Sequence, residues 1–204
     1  MKTLFVALLI LPIFAPAQSK LTVYTGANFP STSVPQTFDD VLGEYWHPAF
    51  NLGMSFEFPL AEWIAISPLV EYNHYSFNQF HEIIAPPMAK QSSGQASQVL
   101  RLLFEIKLFD RASNGNRVYV VTGLGYNIEK LGRIDVLWEG DGGPEYYSVL
   151  PFTGKDYWAH SLGIGYQFAI MNPLAIDLCA KYYSNYKDRF DISTNLGVVF
   201  AVGQ

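Results

Sequence analysis

Cysteine is almost missing from this chain of 204 residues. Cys179 stands alone, so no intrachain disulfide forms and no paired-thiol metal site is available. Charge is scarce as well. Charged residues make up 15% of the chain, where about a quarter is usual in soluble domains. The formal net charge of −5 offers no basic face, which excludes nucleic acid as a partner. Beyond the first residues no stretch is long and apolar enough for a membrane helix, which takes about 20 residues. No repeat, low-complexity tract or second domain interrupts the chain.

What is present is apolar: 50% of residues are hydrophobic and 16% aromatic. The start of the chain speaks to its destination. Lys2 supplies a positive charge, Leu4 to Phe14 an apolar run, and Ala15, Pro16 and Ala17 a small-x-small cleavage site. A secretory signal peptide over 1–17 is expected, with the mature domain running over 18–204. No cysteine follows the cleavage site, so no lipoprotein anchor is expected. A secreted chain with this much apolar surface and no helix to hold it must bury that surface in a core or in lipid.

The choice between the two is read from alternation. From Trp158 through His160, Leu162, Ile164, Tyr166 and Phe168 to Ile170, the even positions are large and, His160 apart, apolar or aromatic. The odd positions between them are small or polar: Ala159, Ser161, Gly163, Gly165, Gln167 and Ala169. After a break at Met171, Asn172 and Pro173, the pattern resumes from Leu174 to Tyr183. A period of two is a strand with unlike faces. Here the non-apolar face is Gly, Ala, Ser and Gln with a single Asp and Lys, which suits a narrow enclosed space better than open water. An apolar face with aromatic ends, backed by small and polar residues, is the pattern of a transmembrane β-barrel strand.

The same alternation predicts strands over Lys20–Asn28, Phe50–Phe58, Ile64–Asn73, Leu100–Leu108, Val118–Glu129 and Phe190–Phe200, eight in all with the hairpin. Pro68 predicts a bulge in the third of them. Long polar links run from Phe29 to Tyr45, Gln79 to Ala96 and Leu131 to Asp156. Tight turns fall at Pro59–Glu62, Asp110–Asn116 and Met171–Pro173, with a short link near Lys187. In an antiparallel series, alternate links lie at opposite ends. One end therefore carries the long loops, with the short link near Lys187 the one exception on that side, and the other the turns and both chain termini, as outer-membrane barrels arrange them. The aromatics divide likewise. Trp46, Tyr72, Tyr126, Trp158 and Tyr182 lie toward the loop end, and Phe58, Trp63, Phe109, Phe168 and Phe200 toward the turn end, as two membrane-interface bands would require.

Phe50-Asn51-Leu52-Gly53, Gly123-Leu124-Gly125-Tyr126 and Leu162-Gly163-Ile164-Gly165-Tyr166 are Gly-spaced strand segments of a recognisable kind. Through them nearly the whole mature chain resembles the OmpA/OmpX-type small outer-membrane barrels, the outer membrane protein β-barrel domain proteins of gram-negative bacteria. The resemblance implies an all-β, eight-stranded, antiparallel up-and-down transmembrane barrel in the cell outer membrane, in contact with its lipid. It implies architecture rather than activity. One departure stands out: such barrels often finish on a terminal aromatic, whereas Phe200 is followed by Ala201, Val202, Gly203 and Gln204, so the insertion signal is expected to be displaced or weaker.

Chemistry, if any, is expected inside. The inward set includes Glu57, Glu71, Arg101, Glu105, Lys107, Asp177 and Lys181, and mixed charges in so narrow a space must pair because an isolated buried charge is costly. An eight-stranded barrel is filled by side chains, so a salt-bridged plug is expected, with a narrow or gated pore as the alternative. The histidines form no ligand motif: His47 is expected inward, His74 and His160 outward and His81 in a loop. Tyr183-Ser184-Asn185 resembles the Ser-Asn of barrel-type lipid A deacylases, but those place a His two residues before the Ser and position 182 is Tyr. Without that base Ser184 has no activator. The run from Gly140 to Pro144 around Asp141 reads as a turn rather than a calcium loop, and Cys179 as an inert inward thiol.

No catalytic, cofactor or metal site is therefore expected, and no enzyme. The function expected is structural, adhesive or partner-binding, through loops that meet an extracellular or envelope protein. The rivals are an enzyme acting on membrane lipid, a narrow pore, a part of a larger envelope assembly, and a soluble lipocalin-like carrier. For the last, Gly43 and Trp46 are only a mis-spaced echo of that family's Gly-x-Trp.

Overall fold

The computed structural model describes residues 19–32, 48–76, 89–110, 115–140, 143–150, 153–184 and 189–202. The expected signal peptide and cleavage site, Trp46, His47, His81, Asp141 and the residues after Val202 lie outside the described residues. In chain order the strands are β1 (Ser19–Thr32), β2 (Ala49–Ala61), β3 (Ile64–Tyr75), β4 (Ala89–Gly94), β5 (Ser97–Phe109), β6 (Arg117–Leu131), β7 (Ile134–Gly140), β8 (Gly143–Leu150), β9 (Thr153–Met171), β10 (Leu174–Ser184) and β11 (Arg189–Val202). Eight of them close a barrel in the order β1-β11-β10-β9-β6-β5-β3-β2, every neighbouring pair antiparallel. These eight coincide with the eight read from alternation. Closure runs along the whole of β1 and β11, from Ser19↔Val202 to Thr32↔Arg189, so the barrel leaves no free edge.

The side chains face as a membrane barrel requires. Leu162 and Ile164 are each 57% exposed and Phe168 39%, whereas Glu105 is 0% and Lys181 5% exposed. Large apolar side chains stand outward on all eight barrel strands, among them Val23, Leu52, Ile66, Ile106, Val120, Leu178 and Leu196. Each is worth about 1.5–3 kcal/mol when removed from water, which makes a belt of this extent untenable except against acyl chains. Tyr72, Trp158 and Tyr182 stand outward toward the loop end and Trp63, Phe168 and Phe200 toward the turn end. Tyr126 packs edge-on to Trp158 at 5.9 Å, and Tyr182 stacks on Phe190 at 5.4 Å.

Four expectations are corrected. Phe109 belongs to the interior: it is 7% exposed and packs on inward-facing Tyr119 at 5.5 Å, so it is not part of the turn-end band. Phe58 is covered too, its ring 4.7 Å from that of Phe56. No bulge sits at Pro68. The β3–β5 register runs through it unbroken, and the β2–β3 register is the same at Ser55↔Leu69 and Phe58↔Ile66; the shift falls between Pro59 and Ala61, where the strand turns. The long links after β3 and β6 are not merely polar loop, for β4, β7 and β8 form a three-stranded sheet in the order β4-β7-β8.

That sheet grows out of the barrel. The β5–β6 pair Gln98↔Lys130 is followed, four residues back along one strand and four on along the other, by the β4–β7 pair Gly94↔Ile134. In the same way the β6–β9 pair Leu131↔Thr153 leads into the β7–β8 pair Ile134↔Leu150. Strands β5, β6 and β9 thus continue past the rim as β4, β7 and β8. The break between them is bridged by Gln95 N–H donating to the Arg133 carbonyl (2.8 Å) and Gly132 N–H donating to Ser97 Oγ (2.8 Å). At the far end of the β7–β8 pair Gly140 lies opposite Gly143 and Glu139 opposite Pro144.

Two glycines set the inner width. Tyr24 lies opposite Gly53 across β1–β2, and Tyr119 opposite Gly165 across β6–β9. A Cβ on Gly53 would sit 2.3 Å from the Tyr24 ring and one on Gly165 2.1 Å from that of Tyr119. The tyrosines lie flat over bare backbone, which keeps both rings inside the barrel. Gly53→Val and Gly165→Val are expected to lower stability by about 1–3 kcal/mol each through overpacking, read as a lower urea midpoint for the vesicle-inserted protein. Gly154→Ala, whose added Cβ meets only a backbone oxygen at 3.6 Å, should leave the midpoint unchanged. Ile164→Arg, in the outer belt, should cost about 2–4 kcal/mol in the same assay.

Candidate functional site: the charged lumen

The interior is layered along the barrel axis. Each layer is set by the inward parity of a few facing strands. The layer nearest the loops centres on Glu71 of β3 and Arg101 of β5, direct cross-strand partners. Arg101 Nη1 donates to Glu71 Oε1 at 2.9 Å, its Nη2 donates to Asp191 of β11, and its guanidinium lies 4.1 Å from the Tyr183 ring centroid. Glu71 also accepts from Asn73 Nδ2 (3.0 Å), Tyr24 Oη (3.0 Å) and Tyr183 Oη (3.1 Å). A carboxylate with four donors is well satisfied even in a dry site. In the barrel order β3 stands opposite β10, and β5 opposite β11. The Glu71–Tyr183 and Arg101–Asp191 contacts therefore cross the full diameter.

The middle layer is a strut from β5 to β10. Lys181 Nζ donates to both oxygens of Glu105 at 2.7 and 2.8 Å, and Ser161 Oγ donates to Oε1 at 3.2 Å. At the turn end Glu57 is shared by Lys107 (3.3 Å) and Lys20 (3.5 Å), while Asp177 accepts from Tyr119 Oη at 2.9 Å. All seven inward charges named from the sequence lie in these layers: Glu71 with Arg101, Glu105 with Lys181, Glu57 with Lys107, and Asp177 apart on Tyr119. Sequence reasoning left out Asp191, Tyr24, Tyr183 and Lys20. Asp191 and Tyr24 sit at inward parity and were readable as such. Their partners were not, because a cross-lumen contact depends on the stagger of the closed barrel.

Between the layers lie apolar and neutral patches. Tyr24, Leu69, Leu103, Ala159 and Tyr183 pack together, as do Ala65, Phe109, Tyr119, Val121 and Cys179. Cys179 is a buried free thiol. On the other wall Asn51 donates to Ser193 Oγ (3.0 Å) and Asn195 Oδ1 (2.8 Å).

The outer face bears on the lipid-enzyme alternative. Ser184 of β10 is the register partner of His160 of β9, and both stand at outward parity. No hydrogen bond joins the two among the described residues. The row they share continues through Leu124 and Phe104 on one side and Phe190 on the other, with no carboxylate in it. His74 also faces outward.

No protein-family model matches the chain, and no curated protein sequence matches it. Solved structures do. Neisserial surface protein A is similar with a TM-score of 0.54 at 11% identity, over 90% of this chain and 97% of that one. Ail, the attachment invasion locus protein of Yersinia pestis, in complex with the heparin analogue sucrose octasulfate, gives 0.51 at 14% identity, over 91% and 99%. A major outer membrane protein from Thermus thermophilus gives 0.51 at 12% identity, over 90% and 99%. At these identities the shared property is the fold, that of the small eight-stranded outer-membrane barrels.

Removing one member of a buried pair strands the other. Arg101→Met leaves Glu71 and Asp191 without their cation and is expected to cost about 3–5 kcal/mol. The triple variant Arg101→Met, Glu71→Gln, Asp191→Asn should recover most of that loss, measured by urea unfolding in lipid vesicles. An Arg101→Met variant as stable as the parent would refute the pairing as a stabilising element.

Proposed function

We propose that this protein is an integral outer-membrane barrel that acts as a rigid, non-conducting, non-catalytic mount. Its loop end meets a partner outside the cell or in the envelope. The observation that carries the reading is the register continuity of β4, β7 and β8 with β5, β6 and β9: a hydrogen-bonded sheet held up by the barrel itself is a platform, not a slack loop. The apolar belt supports insertion in a bilayer. The contacts across the full lumen diameter support a closed interior.

Charge narrows the partner. The three long links, 33–48, 76–96 and 132–152, contain Asp39, Asp40, Glu44, Glu82, Asp135, Glu139, Asp141 and Glu145 against Lys90 and Arg133 alone. An acidic surface steers cationic partners and repels sulfated ones. A ligand like the sulfated sugar bound to Ail is therefore disfavoured here, and a basic protein surface favoured. Neutral-lipid vesicles carrying the protein should adhere to a polylysine-coated surface and not to heparin. Replacing 89–94 and 134–150 by short turns should abolish adhesion while the barrel still migrates as a folded species on an unboiled gel. Preferential binding to heparin would overturn the charge argument, and unitary current steps across a planar bilayer would overturn the closed lumen.

One observation favours a second reading, acyl hydrolysis of membrane lipid: the outward pairing of Ser184 with His160. The absence of a carboxylate from their row weighs against it, since a Ser–His pair relies on a third group to orient the base. Purified protein in lipid vesicles is expected to release no free fatty acid; release that disappears in Ser184→Ala would replace the mount by an enzyme.

A further inference from the structure

At the turn end the lumen opens into a recess of about 460 Å³ between the ends of β1, β6, β9, β10 and β11. Lys20, Gly115, Arg117, Ala175, Val199 and Ala201 are among its lining residues. Its polar side chains are those of Lys20, Arg117 and Asn172. The Lys20 ammonium lies 5.9 Å and the Arg117 guanidinium 5.5 Å from the centroid of one ring, that of Phe109. Two cations lining one recess are unfavourable unless something between them is negative.

Neighbouring carboxylates do not fill that role. Glu57 is divided between Lys20 and Lys107, and Asp177 accepts from Tyr119. Glu57 thus serves two cations at once, Lys20 and Lys107. No ion pair reaches Arg117 among the described residues. A third donor is independently in want of a partner. Gln167, opposite Arg117 in the β6–β9 register, is 2% exposed and takes Lys20 on its Oε1 at 3.4 Å. Its Nε2 is buried with no hydrogen-bond partner among the described residues. A buried N–H donor left unmade is costly.

We propose that this recess is a binding site for a compact oxyanion, a phosphate or a carboxylate, held between Lys20 and Arg117, with the Gln167 side-chain amide behind Lys20. A planar or tetrahedral oxyanion presents several acceptor atoms at once, so it answers both cations together, and the Arg117 fork favours two-point contact. The open mouth admits the group carried on a larger molecule as well as the free ion.

The test is a titration of the full barrel in a sugar-headgroup detergent, followed by amide NMR at fixed ionic strength with chloride as the compensating salt. Three probes are added separately: inorganic phosphate, acetate, and phosphatidylglycerol mixed into the micelle. Saturable shifts at Gly115, Arg117, Ala201 and the Gln167 side-chain NH₂ are expected with at least one of them. Saturation by phosphate or acetate assigns a free ion, and saturation by phosphatidylglycerol alone assigns a lipid headgroup. Arg117→Gln should weaken the response about tenfold or more, as loss of a charge-assisted contact does, and Arg117→Lys should retain part of it. Heat-dependent gel migration confirms that each variant is folded. Shifts that fail to saturate with every probe, or that persist at full affinity in folded Arg117→Gln, would overturn the site.

Discussion

A charge inside an eight-stranded barrel has nowhere to find water, and that constraint shapes the rest of the molecule. The interior is too narrow for a hydration shell, so each inward carboxylate or cation is stable only if its neighbours replace the solvent. Glu71 shows how far this goes: one guanidinium, one amide and two phenols surround it, drawn from β1, β3, β5 and β10. The barrel cannot shear or flatten without pulling at least one of those donors away. Pairing inside is thus what gives the wall a single shape.

The two tyrosine–glycine pairs serve the same end by another route. Tyr24 and Tyr119 are large, yet both must fit between facing walls that also hold ion pairs. Bare backbone at Gly53 and Gly165 lets each ring lie flat and aim its hydroxyl, Tyr24 at Glu71 and Tyr119 at Asp177. Small residues and charged ones are therefore parts of one packing solution.

The barrel was legible in the sequence because lipid enforces a strict period of two. Wherever a strand had an acyl-chain face, as in Trp158–Ile170 or Leu100–Leu108, the alternation marked it. Phe109 was misread because aromatic character was weighed above parity: it is one residue past Leu108 and so points in. Strands β4, β7 and β8 were missed for the same physical reason that the others were found, since beyond the rim no bilayer demands an apolar face. Parity placed the seven inward charges on the correct wall. Which of them meet across the lumen depends on strand stagger in a closed cylinder, and no single strand carries that information. Ser184 and His160 illustrate it too: the whole length of the hairpin separates them along the chain, and only the β9–β10 register sets them side by side.

The continuity of β5, β6 and β9 into the sheet beyond the rim has a mechanical consequence. Ladder hydrogen bonds lie across the strand direction. A tug on the outer sheet along its strands therefore loads many of them together, in parallel, instead of peeling them apart one by one. Traction applied by whatever grips that sheet passes straight into the wall of the barrel and is resisted by the bilayer belt around it. Such a geometry suits a tether under tension better than a hinge.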